Sequence, residues 1–185
     1  MEDHSNPFWQ YSLKLYARKE IAGLCLRLQD EGGLDVNLLL YCLWQGSQGR
    51  SLERTTLAEV CDVSAPWRLE VVESLRHARR WMKGRDQGIA GQSGDLRDRI
   101  KALELAAEKC QQEWLASHPA AYDSAPPVIA AAHNLSGYVQ ETQAPSTPVF
   151  QDTMVHLLRQ AFPDAAAECL SKAEHLLASP TAKLN

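Results

Sequence analysis

The sequence predicts an all-α protein, an irregular helical bundle wrapped around one central apolar helix. Three observations carry this. Apolar residues recur at helical spacing in nearly every segment, sustained apolar–polar alternation and Asn-Gly or Asp-Gly hairpin turns are missing, and residues 36 to 45 are apolar on every side.

The elements follow in order. Asn6 before Pro7 reads as a cap with proline at the first helical position, and Phe8, Tyr11, Ser12, Leu15 and Tyr16 continue a helix over 7 to 17. Ile21, Leu24, Cys25 and Leu28 repeat the stripe, and Gly32-Gly33 supplies the left-handed stop. Asp35 caps the third helix, whose run from Leu38 to Trp44 must be central because no face of it suits water. SQGRSLERT at 47 to 55 is polar and reads as a loop. Thr56 and Glu59 then form a capping box for a two-turn helix, and Ser64 and Pro66 open a longer one that ends at Gly84. A glycine-rich loop at 86 to 94 precedes a helix from Asp95 whose expected seam is Leu96, Ile100, Leu103, Ala107, Cys110 and Trp114, at spacings of four, three, four, three and four. Proline, serine and alanine take over at 117 to 127 and 142 to 149, so the expected organisation is a main helical domain at 1–116 and a helical C-terminal extension at 117–185. That extension has helices near 128–141, 152–161 and 164–178.

Composition bounds the function. With 45% apolar and 23% charged residues the 185-residue chain has the balance of a globular protein with its own core, and a net charge of -4 opposes nucleic acid unless a local basic patch overrides it. The start MEDHSNPFWQ lacks the basic and apolar regions of an export signal, and the longest apolar run is seven residues, so a cytoplasmic chain with no membrane association is expected. Cys25, Cys42, Cys61, Cys110 and Cys169 show no CxxC spacing and lie in apolar patterns, which predicts reduced, structural thiols. The six histidines make no i, i+4 pair and no HExxH, and phosphate-loop, dinucleotide and nucleophile-elbow motifs are missing. No metal, cofactor or catalytic residue is predicted.

The segments NPFWQYSLKLYAR at 6 to 18 and GLDVNLLLYCLW at 33 to 44 resemble an uncharacterised bacterial family described only as a domain of unknown function. The resemblance covers roughly the first 115 residues, with a weaker echo in LLRQAFP at 157 to 163. It implies no activity and carries over no functional residue.

Two candidate sites remain. Asp35 and Asn37 stand beside the most apolar helix and, with the aromatics Trp9, Tyr41 and Trp44, can line a pocket for a flat or isoprenoid ligand; the plainer alternative is a capped helix and a ring-rich core. Arg68, Arg76, Arg79, Arg80, Lys83 and Arg85 crowd one stretch against only Glu70 and Glu73, and Arg76, Arg80 and Lys83 share a helical face. That face is either solvated or a docking surface, neutralised by a partner or by the nine acids that residues 102 to 185 set against four bases. The leading expectation is a non-catalytic protein that binds another protein. One alternative is a nucleic-acid regulator using a helix-turn-helix over 56–85 with its turn near Asp62; the other is a small-molecule pocket or enzyme in the aromatic N-terminal region.

Overall fold

The computed structural model describes residues 6–84, 89, 94–145 and 147–178. They form α1 (Pro7–Tyr16), α2 (Ile21–Gly32), α3 (Val36–Ser47), α4 (Arg54–Trp67), a π-helical turn (Arg68–Val72), α5 (Glu73–Met82), α6 (Gly94–Ala116), α7 (Pro127–Glu141), α8 (Pro148–Ala161) and α9 (Ala167–Ala178). The fold is all-α. Its β structure among the described residues is a two-residue antiparallel ladder, β1 (Arg50–Ser51) against β2 (Ala121–Tyr122), with Arg50 opposite Tyr122. Most of the expected glycine-rich loop at 86 to 94 lies outside the described residues.

Local chemistry sets the helix ends. The Asn6 side chain accepts from Phe8 N at 2.9 Å, and Asp35 Oδ1 accepts from Asn37 N at 2.8 Å, each satisfying an amide that the first turn leaves open. Gly33, at φ 66°, closes α2 in the left-handed region that a side chain resists. Thr147 caps α8 by accepting from Phe150 N, so that helix starts four residues before the expected Asp152.

Helix α3 is the centre: Asn37 to Gly46, ten of its twelve residues, are buried. Helix α7 packs closest to it, because Gly46 offers no side chain; a Cβ there would fall 2.3 Å from the Cα of Ala131. Buried Asn134 on α7 accepts from Leu52 N and donates to the carbonyls of Cys42 and Arg50, so it pins the chain leaving α3 with every polar group used. Tyr138 accepts from Asp35 N at 2.8 Å at the other end of the same interface. One hydrophobic cluster takes in Phe8, Leu28, Leu43, Leu115, Leu135, Leu158 and Leu177, side chains from both sides of residue 117.

Two expectations about the middle of the chain are corrected. No turn stands near Asp62: α4, the π turn and α5 follow one another without a break from Arg54 to Met82, so the helix-turn-helix is not formed. Pro66 removes an amide from the helical ladder, and the helix absorbs the defect by widening into the π turn two residues later instead of ending. The helix also starts at Arg54, with Thr56 already inside its first turn and no side-chain cap at Glu53. The seam of α6 is corrected as well. Ile100, Glu104, Ala107, Gln111, Gln112 and Leu115 face inward, whereas Leu96 and Leu103 are about half-exposed and Cys110 is exposed. Apolar spacing misplaces this face because the surfaces opposite it offer guanidinium, carboxylate and amide partners.

Candidate ligand-binding site

Helices α1, α2, α3, α5 and α6, with the π turn, enclose a cavity of about 300 Å³. Its floor is polar. Ser12 Oγ lies 2.9 Å from Gln112 Oε1, Gln112 Nε2 donates to Asn37 Oδ1 at 2.8 Å, Asn37 Nδ2 donates to Gln111 Oε1 at 2.7 Å, and Gln111 Nε2 donates to Asp35 Oδ2 at 2.7 Å. Each amide therefore accepts from one neighbour and donates to the next, and the whole row points its donors at one carboxylate. Such a head-to-tail row is polarised in one direction, and its bonds reinforce one another in a low-dielectric interior. Asn6 Nδ2 holds the row from outside by donating to the Gln112 carbonyl at 3.1 Å.

The charge that ends the row is buried. Desolvation pushes the Asp35 carboxyl above the usual range for aspartate, while hydrogen bonds from Gln111 and Asn37 N and the field of Arg68 pull it back only in part. Arg68 and Val72 come from the π turn, and both line the cavity. A wider turn at this point keeps Arg68, Val72 and Arg76, spaced four apart, on a common face.

The walls and mouth are mostly apolar. Trp9, Val36 and Leu40 line the cavity, and around it Leu13, Leu26 and Leu105 stand about half-exposed. One flank is ionic: Arg76 Nε donates to Glu104 at 3.1 Å, Nη1 to Glu73 at 2.9 Å and Gln29 at 3.1 Å, and Nη2 to Glu108 at 2.9 Å. Arg79 adds a contact of 2.5 Å to Glu104. Burial raises the Glu104 carboxyl, but its bonds to Arg79 and Arg76 outweigh that and hold it below the usual range. On Glu108 burial wins and the carboxyl stays raised, even with Arg76 beside it.

The two candidate sites of the sequence thus meet in one place. Asp35, Asn37 and Trp9 line the cavity together with Arg68 and Arg76. Tyr41 and Trp44 do not: with Phe8 they form a ring cluster in the core, where Trp44 stacks on Phe8 at 5.0 Å and Tyr41 donates to the His118 carbonyl. Arg79 sits on the outer side of the ionic flank, Arg80 is exposed, and Lys83, also exposed, lies past Met82 in extended backbone, so the expected helical face shared with Arg76 and Arg80 does not reach it; Arg85 lies outside the described residues. Ser12, Gln29, Glu108, Gln111 and Gln112 are the site residues that the sequence did not single out. Gln111 and Glu104 lie four residues from Ala107 and Ile100 on the same stripe of α6, an inward placement that their polar character hides in the sequence.

No helix among the described residues is long and apolar enough to cross a membrane. No curated protein and no solved structure matches the chain. A family described as a protein of unknown function, DUF2390, matches residues 7–115, a stretch that holds every residue lining the cavity; the chain belongs to that family.

Proposed function

We propose that this protein works by binding, and that the cavity between α1, α3, α5 and α6 is its recognition site for a small amphipathic molecule. The observation that carries this reading is the pairing of a continuous polar floor, Ser12 to Asp35, with exposed apolar side chains at the mouth. Ligand sites combine apolar walls with a few convergent polar groups in this way, and a volume of about 300 Å³ stands at the small end of their range. The wider expectation, that the cationic face docks another protein, has less to work with, since Arg76 and Arg79 spend their donors on the chain's own Glu73, Glu104 and Glu108. Arg80 and Lys83 remain as exposed cations for such docking.

The test is ligand-observed NMR with a library of small amphipathic fragments, repeated on Val36→Phe, which fills the cavity from the first turn of α3. Fragments that bind the wild type and lose contact in the variant support the reading. A library without binders, or binding untouched by Val36→Phe, overturns it.

A further inference from the structure

The cavity holds two opposite charges that do not meet. Asp35 and Arg68 both line it, and the field of Arg68 reaches the Asp35 carboxyl, yet among the described residues Arg68 forms no ion pair. Arg76 differs, with each of its three nitrogens donating to a protein acceptor. Among the described residues the Arg68 guanidinium is therefore left without an acid partner.

The hydrogen bonds around Asp35 do not need its charge, which serves the fold only through the dipole at the N-terminus of α3. Its carboxylate caps α3 through Oδ1 and accepts from Gln111 through Oδ2. An asparagine would do both jobs. Its oxygen would cap the helix, its amide would donate to Gln111, and Gln111, Asn37 and Gln112 would each exchange nitrogen for oxygen in turn. The row would then end with Gln112 donating to Ser12, whose hydroxyl already reaches the Phe8 carbonyl at 3.0 Å. Every hydrogen bond survives the reversal. The carboxylate instead adds a desolvated negative charge with no cation in contact among the described residues, an arrangement that costs stability unless something pairs it.

We infer that the cavity binds a free α-amino acid with an apolar side chain, placing the ammonium on Asp35, the carboxylate on Arg68 and the side chain among Trp9, Leu13, Leu26, Val36, Leu40 and Leu105. The inference rests on the reading of this cavity as a ligand site. A simple amine would satisfy Asp35 and be repelled by Arg68, while a simple carboxylate would meet the opposite conflict and add Glu108 to its repulsions. A zwitterion that carries both charges on one α-carbon meets attraction at both ends. The small volume suits one amino acid and not a nucleotide-sized molecule.

The experiment is titration calorimetry on the full chain with each of the twenty L-amino acids, followed by phenethylamine and 3-phenylpropionate, which lack one charge each. Binding of one or more apolar amino acids is expected, weakened at least tenfold when either charge is removed from the ligand. Asp35→Asn and Arg68→Gln should each weaken it at least tenfold too, with the melting temperature of Arg68→Gln unchanged; Arg68→Gln alone decides the matter if Asp35→Asn fails to fold. No binding by any apolar amino acid, or equal binding of the singly charged analogues, overturns the inference. If amphipathic fragments still bind at the same cavity in that case, the zwitterion falls and the ligand site stands; if neither class binds, both fall.

Discussion

Asn37 Nδ2 donates to Gln111 Oε1 across 2.7 Å, joining the first turn of the most apolar helix to a residue 74 positions along the chain. An amide pair here anchors α3 to α6 in one register, because a shift of either helix would leave two buried amides unpaired. Buried polar groups that are fully matched fix an arrangement in this way, while partly matched ones cost about 1 to 3 kcal/mol each. The same pair forms the middle of the cavity floor, so what sets the register of the bundle also shapes the site.

The core beneath that floor makes the first prediction. Trp44 is buried against Phe8, with the rings stacked at 5.0 Å and 19° between planes. Trp44→Ala should cost about 3 to 5 kcal/mol in denaturant unfolding, as truncation of large buried aromatics does. A loss under about 1 kcal/mol is less than burial of the ring alone should give and would place Trp44 at the surface.

Much of this core is legible in the sequence. The stripe Ile21, Leu24, Cys25 and Leu28 is buried as its spacing requires, and the all-round apolar segment is the central helix, because apolar periodicity reports burial directly wherever the opposing surface is also apolar. Where the opposing surface is polar the signal fails. Glu104 and Gln111 read as solvated residues until Arg76, Arg79, Asn37 and Asp35 are brought against them from α5 and α3, and nothing in the spacing of one helix announces what another will present. The helix through Pro66 was illegible for a different reason: proline signals a break, and whether the chain breaks or widens depends on the packing around it.

The second prediction concerns the thiols. Cys25 and Cys42 are buried, and burial raises the Cys25 thiol to about 12, but Cys110 is exposed and borders a shallow hollow beside Trp67 and Trp114. The expectation that all five thiols lie in apolar surroundings therefore fails at Cys110. Native protein treated with a thiol reagent should label at Cys110 first, with Cys25 and Cys42 protected until the chain unfolds. Peptide mapping by mass spectrometry after a short exposure gives the order, and early labelling of Cys42 would contradict the packing of α3 on α7.

The third is a pH dependence. The Glu104 carboxyl is held below its ordinary value of 4.5 by Arg79 and Arg76, so its stabilising contribution is present above that value and is lost as pH falls through its lower, folded-state pKa. Asp35 has the opposite sign, since a raised carboxyl favours the protonated fold and loses that advantage as pH rises. Glu104→Gln should thus melt about 5 °C below the wild type at neutral pH, from about 2 kcal/mol of lost charged hydrogen bonding. The gap should close as both proteins are taken below pH 4.5. A gap that is the same at pH 7 and pH 3 would show that Glu104 acts through its shape and not its charge.

The last prediction separates the cations that build the fold from those that are left over. Arg76 is largely buried, its side chain 12% exposed, and it is ringed by Glu73, Glu104 and Glu108, while Arg80, further along α5, and Lys83, just past its last residue Met82, are exposed. Arg76→Glu would set a fourth carboxylate among three and leave those acids without their shared partner. Breaking a buried pair costs about 3 to 5 kcal/mol. For a chain of this size that lowers the melting temperature by about 10 °C. Arg80→Glu with Lys83→Glu changes only exposed positions, where substitutions shift stability by about 0.5 kcal/mol or less. The double variant carries twice the charge reversal of Arg76→Glu, so a general effect of net charge would move it further than the single one. Thermal unfolding of both at the same ionic strength tells them apart: a large drop for Arg76→Glu alone places that residue in the architecture of the cavity flank. Comparable drops in both variants would mean that the whole face is structural, and a stable Arg76→Glu would mean that the three glutamates do not depend on it. Affinity capture run on the stable double variant then asks what the outer pair does, since a partner lost at unchanged melting temperature would assign Arg80 and Lys83 to docking.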